Sequence, residues 1–317
     1  MSWEKALQGK KALVTGAGGF IGRHLVHRLR KAGAVVHATS RRAQDAAEGS
    51  DVHWHRVDLG QADEATGVMR RVEPDLVFHL ASHVAGSRDL SLVTPTFDAN
   101  LASTVHLLKA SAELGIERFV QVGSLEEPED LTTPPSSPYA AAKAAASLYS
   151  RMFHLLYEVP VVIARVFMVY GPGPQDEKKL VPYVIRSLMA GETPSFGSGT
   201  RPVDWVFAPD IAEGFMRLAT APGLAGQRVD LGTGQLVTVR GMVEEVFRQL
   251  APGVEPSFGG LADRQAEQVR KADIERTHDL LGWHPETDVE RGIERTIEWF
   301  RHSGAFRRQG AERSGSN

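Results

Sequence analysis

Tyr139 and Lys143 stand four residues apart, so on a helix they share one face. A tyrosine phenol has an ordinary pKa of about 10, too high to trade protons readily near neutrality. An ammonium beside it favours the phenolate and lowers that value, which would make the pair a proton donor and acceptor. On spacing alone, the simpler reading makes Tyr139 a residue at a helix start and Lys143 a solvated side chain. Ser124 lies upstream, just beyond an apolar strand, where a hydroxyl can hydrogen-bond a substrate's carbonyl or alkoxide oxygen. Earlier still, Gly16-Ala17-Gly18-Gly19-Phe20-Ile21-Gly22 follows a strand and opens a helix, the context such a cluster needs before it signifies a ligand. Gly16 then permits the tight turn, Gly19 a close backbone approach to a pyrophosphate, and Gly22 close helix packing. The helix N-terminus adds N–H groups and the positive end of its dipole for phosphates.

The end of the second strand selects between two dinucleotides. A carboxylate there would bond the ribose hydroxyls, and a cation would accept a 2′-phosphate. The sequence has Ser40-Arg41-Arg42 and no carboxylate until Asp45. Guanidinium forks suit phosphate, so the residues favour NADP(H), with NAD as the alternative. The plain reading of Arg41 and Arg42 is two solvated side chains in a loop.

Taken together, Thr15-Gly16-Ala17-Gly18-Gly19-Phe20-Ile21-Gly22 and the motifs that follow it in order resemble the extended short-chain dehydrogenase/reductase family, over about Lys10 to Phe300. That family includes nucleotide-sugar epimerases, dehydratases and ketoreductases. The resemblance implies cofactor contacts at Asp58 and Leu59, and in the fourth-strand loop at Leu80, Ala81 and Ser82. It implies more at Asn100 and at Val166, beside the nicotinamide. Ser124 matches the catalytic hydroxyl, and Ser137-Pro138-Tyr139-Ala140-Ala141-Ala142-Lys143 the Tyr–Lys motif. On the substrate side it points to His83, Val84, Glu126, Leu180, Val181, Arg201 and Arg264. The two arginines are candidates for a nucleotide diphosphate, because each donates paired bonds to phosphate oxygens. Arg264 could equally pair on the surface with Asp263 or Glu267. Family dehydratases carry Asp-Glu directly after the catalytic hydroxyl. Here Leu125 takes the place of the Asp while Glu126 aligns with the Glu, which argues against a dehydratase.

The elements that must position these groups alternate. Apolar, β-branched strands are expected at 12–15, 34–39, 52–57, 75–80, 118–122 and 160–167, with helices at 21–32, 105–114 and 139–157. Such alternation implies an α/β fold, a Rossmann-type doubly wound parallel sheet covered on both faces. After Tyr170-Gly171-Pro172-Gly173-Pro174 the rhythm breaks, with helices expected at 181–190, 211–220, 239–250 and 289–302. We therefore expect a dinucleotide-binding domain over 1–171 and a smaller C-terminal substrate-binding lobe over 172–302, short segments of which return to the first domain. The polar stretch 303–317 reads as a flexible tail. Asp210 is expected to cap the helix beginning at Ile211.

Composition sets the bounds. The 317 residues are 42% hydrophobic and 24% charged, with a net charge of −3, which offers no general attraction to nucleic acid or acidic membranes. The absence of cysteine removes disulfides, thiolate nucleophiles and zinc–thiolate sites. His53 and His55 share a strand face without an evident third ligand, so no metal is expected. No apolar run approaches a membrane span, and the expectation is a cytoplasmic protein without a membrane partner. The resemblance adds a homodimer packed through the 105–114 and 139–157 helices. Three functions compete on these residues. The favoured one is NADPH-dependent reduction of a 4-keto-6-deoxy nucleotide sugar with Tyr139 as general acid. The others are a nucleotide-sugar 4-epimerase or dehydratase using its cofactor transiently, and a non-catalytic NADP(H) sensor.

Overall fold

A computed structural model describes residues 3–42, 51–130, 132–263 and 268–303. Strands β1 (Lys11–Thr15), β2 (Val35–Ser40) and β3 (Val52–Arg56) form one half of the main sheet, with helices α1 (Phe20–Lys31) and α2 (Ala62–Val72). Then come β4 (Leu76–His79), α3 (Val93–Thr96), a π-helical stretch Phe97–Ala102, α4 (Ser103–Leu114), β5 (Arg118–Ser124), α5 (Pro138–Tyr157) and β6 (Val161–Val166). The later elements are β7 (Met168–Tyr170), α6 (Leu180–Met189), β8 (Pro202–Phe207), α7 (Ala208–Thr220), β9 (Arg228–Leu231), β10 (Leu236–Thr238), α8 (Val239–Leu250), α9 (Ile274–Leu281) and α10 (Val289–His302).

The main sheet is parallel in the order β3-β2-β1-β4-β5-β6-β9. Strand order reverses between β1 and β4, and ligands of open α/β sheets bind in the crevice outside the carboxyl ends at such a reversal. Every residue of β6 is buried, as a central strand covered on both faces requires. On one face the sheet packs against α1 and α7 through Leu25, Leu29, Ile211 and Phe215. On the other it packs against α2, α4 and α5 through Val68, Met69, Leu107 and Phe153. A second, three-stranded sheet, β10-β8-β7, shares a core with α6, α8 and α10 that includes Val184, Trp205, Phe247 and Ile297.

Local chemistry sets the helix ends near the site. Ser137 accepts a hydrogen bond from the Ala140 N–H at 3.1 Å and Pro138 follows it, which starts α5 one residue before Tyr139. Gly115, at φ 71°, ends α4 in the left-handed conformation.

Several elements differ from the sequence expectation, among them the unexpected helices α3 and α9. The α2 helix was not expected, although Ala65, Val68, Met69 and Val72 have helical spacing and are buried. Asp210 does not cap α7, which starts at Ala208. Its carboxylate instead accepts bonds from the Thr287 N–H and hydroxyl at 3.0 and 3.2 Å. No helix among the described residues is long and apolar enough to cross a membrane.

Candidate functional site

The turn from β1 into α1 is a cradle that side chains would fill. Gly16 has φ 65°, and a Cβ there would lie 2.8 Å from Ala81 N and 2.9 Å from Leu80 C. A Cβ at Gly22 would lie 2.3 Å from Gly16 O. One at Gly19 would meet that same oxygen at 3.0 Å and nothing else nearby. Gly19 therefore leaves the outer side of the turn open while Gly16 and Gly22 hold its inner side. Gly19 is the N-cap of α1, with no side chain bonding the first turn and no acidic residue in it. Its leading N–H groups suit a dinucleotide pyrophosphate. Gly18 accepts a bond from Arg23 Nε at 2.9 Å. Phe20 and Ile21 are half-buried. Phe20 meets His24 edge-on at 5.9 Å between ring centres, and His24 Nε2 bonds Pro172 O at 2.7 Å.

Ser40 ends β2 and accepts the Arg42 N–H at 3.1 Å, with Arg41 and Arg42 exposed. Asp58 is exposed and closes a turn on the Gly60 N–H at 3.0 Å. Leu59 sends its side chain into the core between α2 and α4. In the loop after β4, Leu80, Ala81, Ser82 and His83 are half-buried and Val84 is exposed. Asn100, in the π-helical stretch, spends its amide on that loop. Its Oδ1 accepts from Ser82 Oγ at 2.9 Å and His83 N at 2.7 Å, and its Nδ2 donates to His83 O at 3.2 Å. These bonds brace the loop whose Ser82 is itself a cofactor candidate, beside the cofactor contact expected of Asn100.

A buried relay lies beneath the cradle and escaped the sequence reading. Thr15 Oγ1 and His79 Nδ1 are hydrogen-bonded at 2.8 Å, and Thr15 Oγ1 also accepts the Ala81 N–H at 3.0 Å. His79 Nε2 meets Thr104 Oγ1 at 3.0 Å. Complete burial pushes the His79 imidazole down to about 3, so it stays neutral.

The other half of the site is a polar seam where α5 lies on β5. Tyr139, Lys143, Ser147 and Ser150 face the sheet at helical spacing. Tyr139 hydrogen-bonds the Ser124 side chain. Lys143 Nζ donates to Val122 O at 2.7 Å, Ser147 Oγ to Glu127 Oε2 at 2.8 Å, and Ser150 to Gln121. Register places Ser124 beside buried Val166. Loss of water pushes the Tyr139 phenol up to about 12, with Glu126 and Glu127 adding to the rise. Burial brings the Lys143 ammonium down to about 8, against the pull of Glu127. Burial first, and the two carboxylates second, thus move Tyr139 away from the phenolate expected from its spacing to Lys143. The ammonium turns to Val122 and lies 6.0 Å from the tyrosine ring centre.

Glu126 follows Ser124 half-buried, its N–H donating to Ser124 Oγ at 3.1 Å. Glu127, not singled out from the sequence, is the buried carboxylate: it is 3% exposed and accepts the Ser124 N–H at 2.7 Å. No local pattern marks it, because its partners Ser147 and Arg270 are remote in sequence. Arg270 Nη1 donates to the carbonyls of Leu125 and Glu127 at 2.7 and 2.9 Å.

Near the second sheet Lys179 is the N-cap of α6, Leu180 is half-buried, and Val181 points into the core that this sheet shares with α6, α8 and α10. Any ligand contact from Val181 would therefore come from its main chain. Arg201, half-buried, directly precedes β8 and accepts the Val239 N–H on its carbonyl at 3.0 Å. Asp263 holds the Ser198 N–H at 2.9 Å, which ties the 197–200 loop to the chain just before Arg264. Arg264 itself, like Asp45 and Glu267, lies outside the described residues. Among the described residues no group of three or more histidines and carboxylates could hold a metal ion, and His37, His53 and His55 stack on one another instead.

Residues 12–232 match the NAD dependent epimerase/dehydratase family. The chain is 34% identical to a UDP-glucose 4-epimerase of Mycolicibacterium smegmatis over 92% of its own length and 99% of the relative's. It is 30% identical to a dTDP-glucose 4,6-dehydratase of Streptomyces antibioticus over 93% of each chain. Among solved structures, MoeE5 in complex with UDP-glucose and NAD superposes with a TM-score of 0.81 at 30% identity, over 92% of this chain and 99% of that one.

Proposed function

Because this chain belongs to the NAD dependent epimerase/dehydratase family, we propose that it is a nucleotide-sugar 4-epimerase. The observation that carries this reading is the Ser124–Tyr139 hydroxyl pair at the carboxyl end of β5, two strands from the glycine cradle that follows β1, with Leu125, apolar and buried, where a dehydratase carries its acid. Gly16, Gly18, Gly19, Phe20, Ile21 and Gly22 would hold the dinucleotide, with Leu80, Ala81 and Ser82 against it and Asn100 behind them. A dinucleotide held there would supply the acceptor and donor for the C4 hydride, and the positive charge of its oxidised ring would favour the Tyr139 phenolate that burial disfavours. Tyr139 accepts the C4 hydroxyl proton as the sugar is oxidised and gives it back on reduction. Ser124 Oγ donates to the C4 oxygen and steadies the charge that develops there. Lys143 supplies the fixed positive charge of the seam. Arg201 and Arg264 would grip the diphosphate, with Leu180, Val181, His83, Val84 and Glu126 lining the sugar and nucleotide path. The substrate class, UDP- or dTDP-linked hexoses, follows from those that the relatives' names carry.

A second reading, reduction of a 4-keto-6-deoxy nucleotide sugar by NADPH, is favoured by one observation. Arg41 and Arg42 are exposed at the end of β2, where a 2′-phosphate would be read and where no carboxylate stands among the described residues. Oligomer formation is part of the proposal. Large apolar side chains are exposed on α5 (Leu148, Tyr149, Leu155, Leu156, Tyr157) and on the adjoining 90–97 segment (Leu90, Val93, Phe97), which suits a second copy of the chain.

The purified protein, given NAD and UDP-glucose, should interconvert the C4 epimers with no net change in reduced cofactor. Stoichiometric NADPH loss on a dTDP-4-keto-6-deoxyhexose, without epimer interconversion, would replace the first reading by the second.

A further inference from the structure

The segment after Ser124 is pinned from three directions. Glu127 Oε1 accepts the Ser124 N–H at 2.7 Å, and Oε2 accepts Ser147 Oγ at 2.8 Å. Ser147 lies one turn beyond Lys143, on the helix face that Tyr139 and Lys143 share. Below the carboxylate is Gly123, where a Cβ would come within 2.6 Å of Oε1, so the strand residue leaves the space the carboxylate fills. From the far end of the chain, Arg270 holds the carbonyls of Leu125 and Glu127, while its Nε meets Glu129 Oε1 at 2.9 Å and its Nη2 donates to Gln268 at 2.6 Å.

We propose that Glu127 is a positioning residue for the Ser124–Tyr139–Lys143 set, its carboxylate fixing the Ser124 main chain to α5 and setting a negative charge beside Lys143. A buried carboxylate is costly unless both its hydrogen-bonding capacity and its charge are met. Ser124 and Ser147 meet the first requirement. Among the described residues, Lys143 from α5 and Arg228 from β9 offset its charge, the Tyr139 phenol feels it, and the Arg270 guanidinium stands at its main-chain carbonyl. Burial raises the Glu127 carboxyl, and Lys143 and Arg228 oppose that rise. In return the carboxylate keeps Lys143 protonated further up the pH scale than burial alone would allow. Glu127 therefore works through its neighbours and need not touch substrate.

The catalytic arm of the test rests on the epimerase reading, while the titration arm does not. Glu127→Gln keeps the shape and can keep both hydrogen bonds, but it removes the charge. In the full chain, the ε-carbon resonance of Lys143, assigned with Lys143→Arg, should titrate about 0.5 pH unit or more lower in Glu127→Gln than in the wild type. The alkaline limb of kcat should move down with it, and KM should change much less than kcat. Glu127→Asp keeps the charge with a shorter reach, and is expected to hold the Lys143 midpoint near the wild-type value while lowering kcat several-fold. Ser147→Ala likewise keeps the charge and loses one anchor, with the same expected outcome. A Lys143 midpoint that stays put in Glu127→Gln, or falls as far in Glu127→Asp and Ser147→Ala, overturns the proposal. If the wild type interconverts no sugar, the epimerase reading fails, and the Lys143 titration still decides the role of Glu127.

Discussion

Lys143 gives its ammonium to the main-chain carbonyl of Val122 at 2.7 Å, not to the phenol of Tyr139 one helical turn before it. The cation of the motif is thus anchored to the sheet, and its charge is held in a place where water is excluded. Its pKa of about 8 lies below the ordinary lysine value of 10.5. Because the folded value is the lower one, the ammonium costs stability in full below pH 8. The cost fades as pH rises toward 10.5, where the unfolded chain also loses the proton. Lys143→Met should therefore abolish turnover, and its stability relative to the wild type should be more favourable at low pH than at high by about 1–4 kcal/mol. That pH-dependent gain is set against the Val122 carbonyl left without its donor and Glu127 left without one of its offsetting charges. Urea melts at pH 6.5 and 10 check this. The gain should be present at the first pH and largely gone at the second, and wild-type kcat should fall as pH climbs through about 8.

The glycine turn separates fold from ligand. Gly16→Ala forces a Cβ against Ala81 N in a left-handed conformation, and Gly22→Ala forces one onto Gly16 O. Each should cost about 1–3 kcal/mol of stability as well as cofactor binding. Gly19→Ala meets only one oxygen, at 3.0 Å. It should fold with a melting temperature near the wild type's and still bind dinucleotide at least tenfold more weakly, a loss of about 1.4 kcal/mol. Thermal melts beside NADH fluorescence titrations distinguish the two classes.

Much of this was legible in the sequence, for reasons that lie in particular residues. The strands announced themselves because a parallel sheet buried on both faces needs unbroken apolar runs such as Leu76-Val77-Phe78. Gly16 to Gly22 stood out because a tight turn between strand and helix has fixed spacing, whereas Ser124, Tyr139 and Lys143 stood out through their order after it in the family resemblance and not through spacing alone. What stayed hidden depends on partners remote in the chain. Glu127 looks like a loop carboxylate until Ser147 and Arg270 close over it. Asp210 looks like a helix cap until Thr287 reaches it. The bonds by which Asn100 braces the 82–83 loop were hidden too, because that loop lies 17 or more residues away in the chain. The α2 helix was missed because its apolar stripe runs through a segment that also carries Asp63, Glu64, Arg70 and Arg71.

Asn100 offers a test of that bracing role. Asn100→Ala strands the His83 N–H and should cost about 1–3 kcal/mol of stability. Asn100→Asp can still accept from Ser82 and His83, but when ionised it cannot donate to His83 O and its charge is buried with no cation among these partners. It should therefore be most stable at low pH, where the carboxyl is protonated, and lose stability as pH rises. If Asn100 acts only through the loop, cofactor affinity in the two variants should follow the order of their stability. A severe loss of affinity in a fully stable Asn100→Asp would point to direct contact with the cofactor.

The exposed apolar residues of α5 make the last prediction. Leu155 is 78% exposed, Leu156 61% and Tyr157 55%, and Leu90, on the neighbouring 90–97 segment, is 84% exposed. None of the large exposed apolar side chains lies on α4, so the covering partner should contact α5 and the 90–97 segment more than the 105–114 helix. A Leu155→Glu, Leu156→Glu pair places two charges in the centre of such a contact, where they would be desolvated without partners. Sedimentation velocity should show the wild type as a dimer at micromolar concentration and the pair of substitutions as a monomer, with Lys109→Glu on α4 leaving the dimer intact. A wild-type monomer, or a dimer that survives the two glutamates but is lost with Lys109→Glu, would place the contact elsewhere.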